Sequence, residues 1–287
     1  MTIKIKRHYL NEGLGKYANE NCLSEFELLN KFIENEANHQ KNLDKPNSLL
    51  RYSDIRPYSY NNVGINSGNK YINASWIHIP FPGMFIATQG PIPKTVEDFW
   101  IMCYQYDVEI IVMLCKLKEN NVEKCDKYWN AKNMNHFEVK MIKEEHFDED
   151  IDLRVFQLFN IHKKNTIKVI TQIHLTFWEE NTALNSDFFD NIIKTIEFLD
   201  NNNNKNKKSV VVHCSSGVGR TGTFISLYNL YHEIMSQIFI GKKDIIEFSV
   251  FNLVRKIKEM RMYMVTKENQ YILLYQFIDY LLYNYNK

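Results

Sequence analysis

The chain has 287 residues, 45% of them hydrophobic, and its 35 basic and 34 acidic residues leave a formal net charge of +1. A chain of this length and composition is able to bury one substantial core. Its nearly balanced charge excludes the strongly basic proteins that bind nucleic acids or anionic lipids through their overall charge. We therefore expect a globular protein without a nucleic-acid partner.

The cysteines and the first residues indicate the compartment. The five cysteines are widely spaced and form no C-x-x-C pair of the kind found in zinc sites and redox couples. The N-terminal sequence is charged, no apolar region follows it, and no uninterrupted apolar run reaches the length of a membrane span. These features predict a soluble protein of the cytoplasm without a membrane anchor.

The predicted elements start with an amphipathic helix over Leu23 to Asn38, for which Ser24 is a suitable N-cap. Alternating and β-branched residues then predict strands at Tyr71–Ile77, Met84–Thr88, Glu109–Leu114, Phe137–Ile142, Val155–Asn160, Thr166–Phe177 and Ser209–His213. Helical periodicity predicts helices at Thr95–Gln105, Ser186–Asp200, Thr221–Gln237, Ile245–Met260 and Lys267–Tyr283. Strands with helices before, between and after them indicate an α/β domain with one mixed sheet covered by helices.

One motif carries most of the chemical information. The run from Val210 to Thr223 reads VVVHCSSGVGRTGT, so Cys214 precedes Arg220 by six positions, after an apolar strand and before a helix. Gly217 and Gly219 allow this loop to curl until its backbone N–H groups point inward, and the helix adds its positive N-terminal end. Such a loop binds a phosphate dianion. The same field, with His213 and Arg220 nearby, is expected to lower the pKa of Cys214 and to populate the nucleophilic thiolate.

An isolated cysteine is more often a buried apolar residue than a nucleophile, but further segments occur in the order of a known family. They are Leu50-Arg-Tyr-Ser-Asp54, Tyr71-Ile-Asn-Ala-Ser75, Thr88-Gln-Gly-Pro91, Lys124-Cys-Asp-Lys-Tyr-Trp129 and Gln270-Tyr271. With the Cys-x5-Arg loop, they resemble a classical protein tyrosine phosphatase domain. The resemblance implies a single α/β domain with a central, highly twisted mixed sheet flanked by helices. It places an N-terminal lead-in at 1–21 and the catalytic domain at 22–285.

The resemblance implies how a substrate is held. Tyr52 stacks on the substrate ring and sets the pocket depth, so that a phosphotyrosine reaches the nucleophile and a shorter phosphoserine does not. Asp54 accepts hydrogen bonds from the substrate backbone, which makes phosphotyrosine-containing proteins the expected partners. The loop amides around the phosphate belong to Ser215, Ser216, Gly217, Val218 and Gly219.

The resemblance also assigns supporting roles around the phosphate. Arg220 holds two phosphoryl oxygens as the transition state forms, and Glu119 orients the Arg220 side chain. Lys124 reaches toward the acid loop or the phosphate. Thr221 donates its hydroxyl to the thiolate, and His213 tunes the thiolate through the surrounding hydrogen bonds. Because backbone amides and Arg220 already neutralise the phosphate, we expect no metal and no cofactor.

The general acid is a first departure from the family pattern. The family carries this acid as Asp in a mobile Trp-Pro-Asp loop, whereas this chain has Trp178-Glu179-Glu180. Trp178 serves as the hinge aromatic and Glu180 takes the place of the acid. A glutamate donates a proton as well, but its extra methylene displaces the carboxyl group by more than about 1 Å, and misplacement on this scale costs roughly 10²-fold in rate.

A second departure concerns hydrolysis of the intermediate. The family pattern Gln-Thr-x-x-Gln is Thr266-Lys-Glu-Asn-Gln270 in this chain, so the first glutamine, which positions the hydrolytic water, is replaced. Only Gln270 remains. The recognition loop also has Leu50 where the family usually has Asn. Together, these changes leave binding and nucleophilic attack intact and weaken proton donation and hydrolysis.

Three functions are compatible with these residues. In a phosphatase, Cys214 attacks phosphorus, Glu180 protonates the leaving phenolate, and a water positioned by Gln270 then cleaves the phosphocysteine with Glu180 as base. A pseudophosphatase would retain the binding residues and trap phosphotyrosine proteins. A phosphatase for lipid or serine/threonine phosphates is disfavoured by Tyr52 and by the uncharged loop.

The composition suggests a type of source. The bias toward Asn, Lys and Ile, together with a divergent acid loop, resembles phosphatases carried by insect-associated viruses. Such a protein would act in the cytoplasm of a host cell, and we expect it to be a monomer.

Overall fold

The computed structural model describes residues 3–6, 22–31, 46–80, 84–163, 166–178, 186–203, 208–241 and 245–285. The strands are β1 (Ile3–Lys6), β2 (Ala74–His78), β3 (Met84–Thr88), β4 (Ile110–Met113), β5 (Lys118–Glu119), β6 (Val122–Glu123), β7 (Phe137–Asp148), β8 (Ile151–Asn160), β9 (Ile167–Leu175), β10 (Val210–His213) and β11 (Ile245–Phe248). The helices are α1 (22–31), α2 (Val96–Gln105), α3 (Ser186–Asn203), α4 (Gly219–Phe239), α5 (Val250–Met260) and α6 (Glu268–Tyr285).

A seven-stranded mixed sheet has the strand order β2-β3-β10-β4-β9-β8-β7. Strands β3, β10, β4 and β9 are parallel, and β2, β8 and β7 run antiparallel to their neighbours. All four residues of β10 are buried, as expected for an apolar run in the interior of a parallel sheet. Because the carboxyl ends of parallel strands meet at one edge, the segments after Thr88, Met113 and His213 converge there.

The helices cover this sheet, which confirms the predicted single α/β domain. Helix α4 begins immediately after the loop at the end of β10 and is buried over most of its length. Helices α3, α5 and α6 contact α4, and the buried Trp100 of α2 packs its ring against Phe156 of β8. One continuous hydrophobic core therefore holds both ends of the loop around Cys214. Within the described ranges, no helix is long and apolar enough to cross a bilayer.

The predicted helix over Ile245–Met260 is wrong in its first part. Residues 245–248 form β11, which pairs antiparallel with β1, and Ile3 lies opposite Phe248. Ile246 and Phe248 are buried whereas Glu247 is half-buried, which is the period of a strand. Ser249 then caps α5, because its side chain accepts a hydrogen bond from the N–H of Asn252 at 3.2 Å. The lead-in thus contributes a strand that periodicity did not reveal.

Other predicted boundaries shift without changing the architecture. The predicted strands at 137–142 and 155–160 extend into a long hairpin, because β7 continues to Asp148 and β8 starts at Ile151. Strand β7 is the sheet edge, where exposed charged side chains are tolerated, so its polar sequence hides its length. Strand β2 starts at Ala74, three residues later than predicted. The end of the predicted first helix, 32–38, lies outside the described residues.

Candidate active site

The loop between β10 and α4 surrounds the Cys214 thiol with backbone N–H groups. The N–H of Gly217 donates to Cys214 Sγ at 3.3 Å. Gly217 has φ +73°, and a Cβ added there would lie 2.1 Å from the carbonyl oxygen of Thr88 on β3. Only glycine combines this conformation with so close an approach. The loop therefore depends on glycine for its shape.

A buried cation supports this loop from behind. The Arg261 side chain is fully buried, and its Nε donates to the carbonyl of Gly217 at 2.8 Å. Its Nη atoms donate to Ser75 Oγ at 3.2 Å and to Asn73 Oδ1 at 2.9 Å. Burial lowers the pKa of Arg261 to about 10, so it stays charged at neutral pH. Its donors fix the loop carbonyls outward and leave the N–H groups to face the pocket.

The surroundings of Cys214 favour the thiolate. Burial alone would raise the pKa of the thiol, but the Arg220 charge, the Thr221 hydroxyl and the N–H groups of Thr221 and Gly217 lower it below the usual value. The Thr221 hydroxyl is buried and has no hydrogen-bond partner within 3.5 Å among oxygens and nitrogens or within 4.0 Å among sulfurs in the described part of the chain. A thiolate at Cys214 is the acceptor that it would serve, and the role of Thr221 stays a prediction.

Arg220 is held in place by a two-point contact. Its Nη1 and Nη2 donate to the two carboxylate oxygens of Glu119 at 2.7 and 3.0 Å, and both side chains are buried. Arg220 Nη1 also donates to the carbonyl of Trp178 at 2.7 Å. Burial opposes the charge on Arg220, but the Glu119 hydrogen bonds and the Cys214 charge raise its pKa above the usual value. The pair presents a permanently charged, planar group beside Cys214.

His213 acts through hydrogen bonds and carries no charge near neutral pH. It is fully buried, and burial lowers its pKa to about 3. Its Nδ1 lies 3.2 Å from the carbonyl oxygen of Cys214 and its Nε2 lies 3.0 Å from the Tyr128 hydroxyl. His213 thus contacts the backbone of the nucleophile and not its sulfur. Because its ring is uncharged, the expectation that its field lowers the pKa of Cys214 is wrong.

The recognition segment reaches the loop through Tyr52. Its hydroxyl lies 3.0 Å from Ser215 Oγ, and the side chain is half-buried. Arg51 anchors this segment, since its Nη2 donates to the carbonyl of Pro91 at 2.6 Å and to Asp126 at 3.0 Å. Asp54 is exposed on the same segment and does not line the cavity described next. An exposed carboxylate at this place remains available to a bound polypeptide.

A cavity of about 220 Å³ opens above the loop and gathers most of the predicted residues. Its lining consists of Tyr52, Ile55, Lys124, Cys214, Ser215, Ser216, Val218, Gly219, Arg220, Thr266, Lys267 and Gln270. The nucleophile, the cationic fork and the aromatic wall therefore share one space. Glu119, Thr221 and His213 lie behind it and act on its walls.

The segment that leads into α6 and the first turn of α6 form the rim nearest to the N-terminus of α4. Gln270 Oε1 accepts from the N–H groups of Thr266 and Lys267 at 3.0 and 3.2 Å. The Thr266 hydroxyl donates to the carbonyl of Tyr263 at 3.0 Å. A Cβ added to Gly219 would lie 3.0 Å from both Gln270 Nε2 and Thr266 Oγ1. Both side chains therefore stand directly over the start of α4.

Trp178 marks the beginning of the predicted acid loop. It is buried, and its ring packs edge-on against Phe188 with centroids 5.1 Å apart. Its carbonyl bond to Arg220 ties the start of this segment to the site. Glu179 and Glu180 lie outside the described residues. The structure therefore shows where the segment with the predicted acid begins, at Trp178, and not where the acid itself lies.

Sequence reasoning missed two residues that hold the site together. Arg261 is one, and Gln89 is the other. The side chain of Gln89 accepts from the N–H of Arg51 at 2.9 Å and from Asn73 at 3.2 Å and donates to the carbonyl of Leu49 at 3.0 Å. A cation within the apolar Met-Arg-Met run was the available signal for Arg261. Among the described residues, no cluster of His, Cys, Asp or Glu is arranged to hold a metal ion.

Comparisons with known proteins agree with this geometry. A family model described as protein-tyrosine phosphatase matches residues 47–280. Tyrosine-protein phosphatase 1 of Saccharomyces cerevisiae is 31% identical over 276 residues, which cover 80% of this chain and 81% of that protein. Mouse tyrosine-protein phosphatase non-receptor type 20 is 32% identical over 286 residues, 91% of this chain, and the chain spans 61% of its length. A solved structure of PTPN18 in complex with HER2-pY1196 phosphopeptides is similar with a TM-score of 0.82 at 25% identity and covers 95% of this chain and 97% of that one.

Proposed function

Because the chain belongs to the protein-tyrosine phosphatase family, we propose that it hydrolyses phosphotyrosine in proteins through a phosphocysteine intermediate. The observation that carries the proposal is the environment of Cys214. Its thiol pKa is lowered by Arg220, the Thr221 hydroxyl and the loop N–H groups, at the floor of a cavity with an aromatic wall. A nucleophile and an oxyanion-binding group in one space are what phosphoryl transfer requires.

In the first step, the Cys214 thiolate attacks phosphorus, an S–P bond forms, and the P–O bond to the tyrosine ring breaks. Arg220 and the loop N–H groups bind the equatorial oxygens and stabilise their charge. Arg220 stays in place during this step because Glu119 holds its guanidinium. Glu180 gives its proton to the departing phenolate. The hydroxyl of Thr221 stabilises the thiolate at the start of this step and at the end of the next.

In the second step, water attacks phosphorus, the S–P bond breaks, and phosphate leaves with the thiolate restored. Glu180 takes the proton of the water, and Gln270 positions the water from the rim above Gly219. Thr266 is shorter than the glutamine of the family pattern, and its hydrogen is already donated to Tyr263. We therefore expect hydrolysis of the intermediate to be slowed.

The substrate class follows from the walls of the cavity. Tyr52 lines the cavity together with Cys214, and there its ring would stack on an aryl phosphate and admit the long phosphotyrosine side chain. Asp54 is exposed on the same segment, where it would accept from the backbone N–H groups of a bound protein. PTPN18, a structural relative, has been solved with phosphopeptides. We assign phosphotyrosine-containing proteins as substrates on these grounds.

A pseudophosphatase that traps such proteins is the second candidate. It is favoured by one observation, namely that the binding groups Tyr52, Cys214 and Arg220 line the cavity while Thr266 stands there in place of the first glutamine of the family pattern. The two candidates share the binding step. They differ in whether Glu180 and Gln270 complete turnover.

The experiment that separates them is turnover of a phosphotyrosyl peptide. We expect the wild type to release phosphate, and Cys214→Ser and Glu180→Ala to lose most of this activity. Glu145→Ala, which removes an exposed carboxylate paired with Lys143, serves as the matched control and should retain it. Absence of turnover in the wild type, with tight peptide binding that Arg220→Ala abolishes, would establish the trap and reject the enzyme.

The cellular setting is also part of the proposal. All five cysteines are unpaired and buried, which supports a reducing compartment such as the cytoplasm, and that of a host cell if the chain is viral. We further propose that the protein is a monomer. Sedimentation at micromolar concentration tests this last point, and a concentration-dependent dimer would contradict it.

A further inference from the structure

A chain of buried hydrogen bonds crosses the sheet from β8 to the nucleophile. Arg154 Nη1 lies 2.9 Å from Gln172 Oε1, and Gln172 Nε2 contacts the Tyr128 hydroxyl. That hydroxyl lies 3.0 Å from His213 Nε2, and His213 Nδ1 lies 3.2 Å from the carbonyl oxygen of Cys214. All four side chains of the chain are buried. The outer members, Arg154 and Gln172, have no assigned role.

The directions of the bonds in this chain follow from its two ends. A guanidinium donates and never accepts, so the Gln172 oxygen must face Arg154 and its NH₂ group must face Tyr128. The Tyr128 oxygen then accepts from Gln172, which leaves its own hydrogen for His213 Nε2 at 3.0 Å or for Met113 Sδ at 4.0 Å. At the other end, the carbonyl oxygen of Cys214 only accepts, so His213 Nδ1 carries its hydrogen and donates to that oxygen. His213 Nε2 is therefore bare, and the Tyr128 hydroxyl donates to it.

A second branch leaves the same guanidinium nitrogen. Arg154 Nη1 lies 3.1 Å from His174 Nδ1, which must therefore be an acceptor. His174 Nε2 keeps its hydrogen and donates it to the carbonyl of Cys115 at 2.8 Å. Burial is the main cause that lowers the pKa of His174 to about 4 and that of His213 to about 3, so both rings are neutral at pH 7 and each has a tautomer to be set. The two histidines therefore have opposite tautomers, and one arginine stands at the start of both branches.

Arg154 is itself held rigidly. Its Nε donates to Glu144 at 2.6 Å and its Nη2 to Asp152 at 2.8 Å. Its guanidinium carbon lies 5.0 Å from the centre of the Trp129 ring. Carboxylates on two sides and a ring on a third leave the planar group one orientation. Lysine, with a rotating ammonium, would not reproduce these contacts.

We propose that Arg154, acting through Gln172, is a positioning residue of the phosphate loop, which holds His213 in the tautomer that donates to the Cys214 carbonyl. With the opposite tautomer, a lone pair on Nδ1 would face the carbonyl oxygen at 3.2 Å and repel it. The loop N–H groups that stabilise the thiolate would then lose their alignment. The effect on catalysis rests on the proposed function. The tautomers of the two histidines and the pKa of the Cys214 thiol can be measured without it.

The direct test is long-range ¹H–¹⁵N NMR of the wild-type protein with ¹⁵N-labelled histidine at pH 7. The expected result is an Nδ1–H ring for His213 and an Nε2–H ring for His174. An Nε2–H ring for His213 would overturn the proposal, and this reading needs no variant and no turnover.

The second test is the pH dependence of Cys214 alkylation by iodoacetamide, with Cys214→Ser as the blank. Gln172→Met removes the donor to Tyr128 at similar volume, and Arg154→Met removes the guanidinium that orients Gln172. The loss of one hydrogen bond should raise the pH midpoint of Cys214 alkylation by about 0.5–1 pH unit in each variant. Gln157→Met, a half-buried position on β8 outside the chain of bonds, is the control and should leave the midpoint unchanged. Folded Gln172→Met protein with the wild-type midpoint would contradict the proposal, whatever the phosphatase activity is.

Discussion

Among the individual residues, the contact between Arg220 and Glu119 determines in which orientation the guanidinium is presented to a phosphate. A lone guanidinium on a flexible stem samples many rotamers, and fixing it costs entropy at the moment of binding. Glu119 removes that cost in advance, because both of its oxygens accept from the fork and both side chains are buried. The carboxylate is itself fixed by the N–H of Lys116, which donates to its Oε1 at 3.1 Å. Preorganisation here is a property of three neighbouring groups.

Glu119→Gln should weaken phosphate binding at this site. It keeps the shape but replaces one charge-assisted acceptor with an amide that donates toward Arg220 and repels it. Loss of such a bond is worth about 1.5–3 kcal/mol, so we expect the Kd of a phosphotyrosyl peptide to rise by about 10-fold or more. The measurement is made in a Cys214→Ser background, where turnover cannot interfere. Glu145→Gln is the surface control, and an unchanged Kd for Glu119→Gln would show that Arg220 needs no orienting partner.

At the scale of elements, the loop between β10 and α4 is shaped by its neighbour β3. The apolar run of β10 is buried between β3 and β4, and the chain must then turn at once into α4. This turn brings the backbone of Gly217 against that of Thr88. The helix N-terminus and the curled loop thereby point into the same cavity. The position of β3 is thus as necessary to the loop as its own glycines.

Gly217→Ala should destabilise the fold more than a change of backbone conformation alone explains. Gly241 is a matched control, because it has φ +75° and a Cβ added there would meet nothing within 4 Å. We expect Gly241→Ala to lower the free energy of unfolding by about 1 kcal/mol and Gly217→Ala by roughly 1–3 kcal/mol more, because its Cβ would collide with Thr88. Urea unfolding of both variants measures the difference. Equal decreases in the free energy of unfolding would mean that β3 shifts to accommodate the new Cβ without an energetic penalty.

At the scale of the whole molecule, the sheet interior carries a polar layer within an apolar core. Gln172, His174 and Arg154 lie on the neighbouring strands β8 and β9, and they join the surface to the site through satisfied hydrogen bonds. Such a layer is favourable only when each member is paired, and it then permits a single arrangement of the strands. The layer also makes stability depend on pH, since its histidines are buried without charge.

Stability should therefore fall on acidification. The pKa of His213 is lowered to about 3 and that of His174 to about 4, below the unfolded value of about 6.5. Between these limits, the unfolded chain binds protons that the folded chain does not, so the stabilisation is complete above about pH 6.5 and is lost as the pH falls toward the folded values. At pH 5, the loss is on the order of 2 kcal/mol for each histidine.

Urea unfolding at pH 7.5 and pH 5 measures this effect. His174→Gln keeps an acceptor for Arg154 and a donor for Cys115, and it should remove about one histidine's share of the pH dependence. The exposed His78 provides a control, since His78→Gln should leave the pH dependence as it is in the wild type. A His174→Gln variant with the full wild-type slope would contradict the assignment.

Much of this protein is determined by its sequence alone. The phosphate loop is a local structure, because its glycines, the nucleophile, the arginine and the helix N-terminus lie within a few residues of one another. Periodicity likewise located β10, β4 and α4, whose apolar runs are long enough to be unambiguous. It failed at 245–248, where two isoleucines fit a strand and a helix equally well and pairing with β1 decided the outcome.

The distant side chains that serve that loop follow from how the strands and helices pack against one another. Glu119 stands 101 positions from Arg220, and spacing alone would leave it a surface acid, although the family resemblance suggested its role. Arg261 lies 44 positions from Gly217, and Arg154 reaches Cys214 through three intermediates. These contacts depend on the strand order β10-β4-β9-β8, which local periodicity does not encode. Hydrogen bonds act over about 3 Å, so their partners are known only once the strands are placed beside one another.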